Sequence, residues 1–267
     1  MPGTIKVKEV LRRVSGLMQD TKPQFARMRE REMVDFLNDA QSAICTYLPS
    51  SCSRIDALRL VPGTLQSIEN IPAASCKPGD GSVPAAPVIG TMLLDLPCNM
   101  GSTGTVPGRA IRSNTEGREL LDSITPNWHI DAGTEVRSFL FDPRMPRHFH
   151  VVPGVHATTP VWVRAAYIAM PLAIPNTGTP GAELYADAGS STVTISVHDE
   201  HVDDLVNYVC ARLLMKNAQY SLSTGMSAET FAALFTGSIN AKAQAILGNN
   251  PNLKHLPFAP TPAGAAS

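Results

Sequence analysis

Residues 33–61 read MVDFLNDAQSAICTYLPSSCSRIDALRLV, and the hydrophobic period changes inside them. Met33, Phe36, Leu37, Ala40, Ile44, Tyr47 and Leu48 recur every three or four residues, which is one helix face over about four turns. Pro49, with no N–H to extend the ladder, stops that pattern. From Arg54 the apolar residues come instead as a short run, ALRLV, that fits a strand better than a helix. The chain passes from a helical to a β-type region within this one stretch.

Towards the N-terminus, Val7, Val10, Leu11, Val14, Leu17 and Met18 share another helix face, which ends near Asp20 and before Pro23. The two patterns predict a helical hairpin over residues 1–50, whose apolar stripes need a further partner. Towards the C-terminus, MLLDLP and RAIRS are short apolar stretches bounded by turn residues that fit strands, and VRSFLFD, HFHVVP and VWVRAAYI, rich in β-branched or aromatic residues, read as strands of an antiparallel sheet or sandwich. Residues 72–90 carry Pro, Gly, Ala and Ser with little periodicity, which predicts an extended surface loop whose deletion is tolerated. A similar link over 171–191 ends in alternating Val193, Ile195 and Val197, a short strand.

Asp199 then reads as the N-cap of a helix with Val202, Leu205, Val206, Val209 and Leu213 on its buried stripe. A last helix is expected over 227–247, with Phe231, Leu234, Phe235, Ile239 and Ile246 apolar and Gly248 as terminator. Residues 249–267 have no periodicity and read as a flexible or docking tail. The expected fold class is α+β. N- and C-terminal helices (1–50 and 198–248) form a bundle around or beside a central antiparallel β-sandwich-like domain (54–197).

At 267 residues and 43% hydrophobic composition the chain can bury a sizeable core. Twenty-two basic and 23 acidic residues leave a formal charge of −1, so long-range attraction gives no general affinity for nucleic acid or an anionic membrane. No apolar run approaches the roughly 20 residues of a membrane span, and the opening MPGTIKVKEV has no signal-peptide apolar region. The expectation is a soluble protein that stays where it is made. Five cysteines, Cys45, Cys52, Cys76, Cys98 and Cys210, are an odd number without CxxC spacing, which suggests reduced thiols.

The residues that invite chemistry each have a plainer reading. His148 and His150, two apart, project from one face of a strand, yet no carboxylate or cysteine reinforces them and the HExxH signature is absent. His198, Asp199, Glu200 and His201 suit the positive end of a helix dipole, and no GxSxG turn supplies a nucleophile. Gly101, Gly104 and Gly108 in GSTGTVPG lack the Lys and Ser/Thr of a P-loop, so a turn between strands is expected. Trp128 and Trp162 are either binding hot spots or core residues, and their apolar strand contexts favour the core. Arg137, Arg144, Arg147 and Arg164 are expected to make local ion pairs worth little each.

Taken together and in order, six segments resemble the head-to-tail adaptor proteins of tailed bacteriophages. They are FLNDAQSAI from Phe36, LRLVPGTLQSI from Leu58, RAIRS from Arg109, TPNWH from Thr125, FLFDPRMPRHFHVVP from Phe139, and HVDDLVNYVCARLLMKNAQYS from His201. The resemblance implies a ring of about twelve copies beneath the portal that extends the DNA channel toward the tail. Implied partners are the portal protein, tail or nozzle proteins, further copies of the chain and, transiently, the passing genomic DNA, with no membrane. Implied too are assembly in the bacterial host cytoplasm, a final place in the neck of the virion, and no enzymatic activity, metal or cofactor.

In this reading the C-terminal extension docks on the portal through Leu253, Leu256 and Phe258. The segments 72–90 and 171–191 are longer than the short turns usual in the family. The alternative reading is a receptor- or carbohydrate-binding β-sandwich module of a virion. A third is a hydrolase using His148, His150 or the cluster from His198 to His201.

Overall fold

The computed structural model describes residues 3–20, 25–79, 84, 86–113, 117–142, 144–176, 183–186, 189, 191–216 and 227–249. The fold is α+β, divided into two compact units. One is Pro49–Leu172, and the other joins Gly3–Leu48 to Ala173–Ser267.

The first unit holds two sheets. In one, β1 (Ser53–Arg59), β3 (Cys76–Pro78), β4 (Gly90–Asn99) and β9 (Trp162–Ala169) lie in the order β3-β1-β9-β4, every pair antiparallel. The central strand β9 is hydrogen-bonded on both edges, which explains why VWVRAAYI is apolar almost throughout. The second sheet has the order β2-β8-β7-β5, formed by β2 (Gly63–Ser67), β5 (Arg112–Ser113), β7 (Ser138–Phe141) and β8 (His148–Val155), with β6 (Ala132–Gly133) also on β8. It is mixed rather than purely antiparallel, because β5 pairs with β7 and β6 with β8 in parallel. A short helix, α3 (Gly117–Ile124), separates β5 from β6.

The inward residues of the two sheets form one core, the layered arrangement of a sandwich. Val163, Ala165, Tyr167 and Ala169 from β9 meet Phe149, Val151 and Val155 from β8 and Phe139 from β7. A polar group sits inside that core. Tyr167 donates its hydroxyl to Asp56 Oδ2 at 2.7 Å, and Arg54 Nε lies 3.1 Å from the same oxygen. Cys76 Sγ lies 3.6 Å from that oxygen too, and burial followed by the charge of Asp56 pushes its thiol up to about 11. The expectation of a dispensable loop over 72–90 therefore fails at Cys76, which β3 buries against β1, and at Val88, which bridges to Ile71.

The second unit contains α1 (Val7–Leu17), α2 (Glu30–Tyr47), α4 (Val202–Lys216) and α5 (Ala228–Asn249). Helix α4 packs against the other three, and its buried Val202, Leu205, Val206, Val209, Leu213 and Leu214 leave little polar face. Val7, Val10, Leu11 and Val14 of α1, Met33, Leu37, Ala40 and Ile44 of α2, and Phe231, Phe235 and Ile239 of α5 are buried. Tyr47, Leu234 and Ile246, placed by periodicity on apolar stripes, are exposed.

The segment after residue 172 joins this helical unit, although 54–197 was expected to be β-domain. Its backbone is held by helix side chains. Glu30 accepts from Leu184 N and Tyr185 N, Asn38 exchanges hydrogen bonds with Ile174, and Gln41 Oε1 accepts from Ser196 N. Val193, Ile195 and Val197 form no strand of a sheet; Thr194 makes an isolated bridge to Lys6, and Ile195 and Val197 are buried. Cys45 and Cys52 are disulfide-bonded, which corrects the reading of all five cysteines as thiols; Cys76, Cys98 and Cys210 are free.

Candidate interaction surfaces

The surface of the β unit carries a concavity of about 410 Å³ lined by Arg109, Ala110, Arg112, Arg137 and Ser138. Two neighbouring elements build it. Residues 109–111 run beside the end of β4, where Asn99 N donates to Arg109 O at 2.9 Å and Cys98 bridges Ala110. Arg112 then enters β5 and pairs with Ser138 of β7, its N–H donating to Arg137 O at 3.0 Å.

The two halves are clamped by one buried side chain. Asn99 Nδ2 donates to Arg109 O at 3.1 Å and to Val136 O at 2.7 Å, while its Oδ1 accepts from Val136 N at 2.9 Å. Asn99 thereby fixes the residues from which the Arg109 and Arg137 side chains spring. All three arginine side chains are exposed, and among the described residues none has a carboxylate within 4.0 Å.

The sequence had grouped Arg137 with Arg144, Arg147 and Arg164 as locally paired. Arg144 does pair with Asp142 at 3.0 Å, and Arg147 with Glu69 at 3.1 Å. Both hydrogen bonds and charge from Arg144 hold the Asp142 carboxyl below its usual range. Arg137 instead joins Arg109 and Arg112, a grouping that residue spacing did not reveal. Its only sequence signal was the pair of arginines in RAIRS.

The other candidates resolve into structural roles. Trp128 is fully buried, donates Nε1–H to Asp122 Oδ1 at 2.7 Å and meets the His150 ring edge-on at 5.6 Å. Burial, then the charges of Arg118 and His129, hold His150 below the usual histidine pKa. No group of three or more His, Cys, Asp or Glu side chains with metal-binding geometry occurs among the described residues. Trp162 is buried with Ala57 and Met100 on the outer side of β9, and Lys77 Nζ sits 4.8 Å from its ring centroid. Gly104, at φ +74°, lies so close over that indole that a Cβ there would stand 2.7 Å from it. The GSTGTVPG segment is a turn folded onto Trp162.

In the helical unit Asp199 does not cap its own helix; it accepts from Thr4 N, Thr4 Oγ1 and Ile5 N, tying residues 4–5 to the start of α4. A 3-10 turn, Asp199–His201, precedes α4. His201 is fully buried and lies 3.0 Å from Asp204 Oδ2, which Lys242 of α5 also reaches at 2.6 Å. This network joins α4 to α5.

Large apolar side chains remain exposed in both units: Ile55, Leu65, Val106, Ile124, Ile130 and Met145 in the first, Leu17, Met215, Leu234 and Ile246 in the second. The tail positions Leu253, Leu256 and Phe258 lie outside the described residues.

Comparison with known proteins supplies a family for this arrangement. The family model described as SU10 adaptor protein matches residues 5–253. No curated protein matches the chain.

Proposed function

The chain belongs to the SU10 adaptor protein family, a phage adaptor family, and on that premise we propose that it is a ring-forming connector between the portal vertex and the tail. The observation that carries this reading is the extent of the match, which takes in both compact units and all nine strands and five helices named above. About twelve copies assemble through heterologous contacts, one face of each subunit meeting a different face of the next, and the ring continues the DNA channel. The role is mechanical and requires no covalent chemistry.

Leu253, Leu256 and Phe258 serve as apolar anchors on the portal, following the end of α5 at Asn249. The test is light scattering after size exclusion of this chain mixed with the portal protein of the same phage. A portal peak heavier by a full ring of subunits supports the reading; separate elution of folded proteins, with tail proteins present as well, refutes it. Deleting residues 250–267 is expected to weaken portal attachment while the chain stays folded, and unchanged attachment in a pull-down removes the anchor role.

A further inference from the structure

We propose that the concavity formed by Arg109, Arg112 and Arg137 is a phosphate-binding site for the backbone of duplex DNA. The whole chain carries a formal charge of only −1, so its average field attracts no polyanion. The local distribution is different. Three permanent cations line one concavity of about 410 Å³, and among the described residues no carboxylate lies within ion-pairing distance of them. Elsewhere in the same unit Arg118, Arg144 and Arg147 are paired with acids, while the exposed Arg59 has no ion pair among the described residues but does not line this concavity. Guanidinium groups present planar forks of donors that match the oxygens of a phosphodiester.

The surroundings favour DNA over an acidic protein segment. A peptide anchor needs an apolar pocket, and the lining here is three arginines, an alanine and a serine, with no large apolar side chain. Arg112 N donates to Arg137 O, Arg137 N to Val152 O, and Ile111 N to Pro97 O. The lining beyond the arginines is Ala110 and Ser138. What remains is charge and hydrogen-bond donors on exposed side chains, the chemistry of sequence-independent backbone contact. The inference rests on the adaptor reading for the source of the DNA, not for the binding itself.

The experiment is fluorescence anisotropy of a labelled 20-base-pair duplex titrated with the full chain, from 20 to 200 mM salt. Three phosphate contacts give a slope of log affinity against log salt of about −2.7, a loss of roughly forty-fold between 50 and 200 mM. Changing Arg109, Arg112 and Arg137 together to Gln is expected to abolish this binding. The matched change Lys6→Gln, Lys8→Gln and Arg12→Gln on and before α1 is expected to leave it within two-fold or so. Changing the three arginines to Lys should keep the slope but weaken affinity, since the charge stays and the fork is lost.

No anisotropy change at 20 mM salt overturns the proposal, as does equal loss in the two Gln variants. Preferential binding of polyglutamate of matched charge overturns it in favour of an acidic protein partner. A chain that joins the portal but binds no duplex leaves the adaptor reading standing and removes this site; one that binds duplex without joining the portal does the reverse.

Discussion

Replacing Asn99 by Ala tests the clamp that shapes the arginine concavity. Asn99 is buried, and its side chain is the partner of both backbone groups of Val136, itself only 1% exposed. Among the described residues neither Val136 N nor Val136 O has another partner. Arg109 O is less affected, because it still accepts from Asn99 N at 2.9 Å. Two buried backbone groups thus lose their hydrogen bonds, at about 1–3 kcal/mol each, and relaxation toward solvent at the concavity brings the expected loss to about 3 kcal/mol.

Trp128 and Trp162 are the chain's only tryptophans, and both lie in the β unit, so urea unfolding followed by tryptophan fluorescence reads that unit alone. With a slope of about 1.5 kcal/mol per molar urea the midpoint falls by about 2 M. The arginine residues stay in the chain, but the strands that bring Arg109 and Arg137 together lose their tie, so duplex affinity falls as well. A midpoint shift corresponding to less than about 1 kcal/mol refutes the reasoning, since Val136 would then be satisfied without Asn99.

Three further outcomes are expected. Burial opposes ionisation of Asp204, but hydrogen bonds from His201, Lys242 and Ser238 outweigh it and hold its carboxyl below the usual value. A carboxylate depressed by folding stabilises above its unfolded pKa of about 3.9 and loses that contribution as pH falls through the folded value. The stability gap between wild type and Asp204→Asn, about 2 kcal/mol at pH 7, should therefore close below about pH 4, and a gap unchanged at pH 3 by circular dichroism contradicts the network. Gly104→Ala places a Cβ at φ +74° against the Trp162 ring, so it should destabilise the β unit and alter tryptophan emission, while unaltered emission means the turn does not seat on the indole. Thiol titration at pH 8 should find Cys98 reacting ahead of Cys76 and Cys210, which burial pushes up to about 11 and about 12; denaturant should expose three thiols and reductant five.

The sequence was readable where a segment carried its own period. Runs such as VWVRAAYI and HFHVVP, and the stripes of α1, α2 and α4, declare themselves because burial on a sheet or helix face repeats at two or at three to four residues. Short elements escaped. Strands β3 and β6 span three and two residues and exist through their partners, RAIRS holds a strand, β5, of only two residues, and α3, read as nothing from GRELLDSI, is under three turns. The burial of Cys76 depends on Asp56 and Tyr167, which are 111 positions apart. The arginine concavity was illegible for the same reason: Arg109, Arg112 and Arg137 meet only because β5 pairs with β7 in parallel and Asn99 joins their flanks.

Five of the buried polar side chains share one task, and it bears on how an adaptor can work. Asp20 accepts from Arg27 N and Met28 N, Glu30 holds residues 184–185, Gln41 holds Ser196, Gln66 ties Val61 and Gly63, and Asn99 ties Arg109 to Val136. Each supplies hydrogen bonds to irregular backbone that no ladder reaches, which would otherwise have to be satisfied by solvent or remain mobile. Loops fixed from inside need no surface charges to order them. That leaves the exposed side chains, Ile130 and Val106 as much as the three arginines, free to meet other molecules without first breaking contacts within the chain. For an adaptor, whose surfaces have to fit other proteins, such preorganisation lowers the entropy lost on assembly.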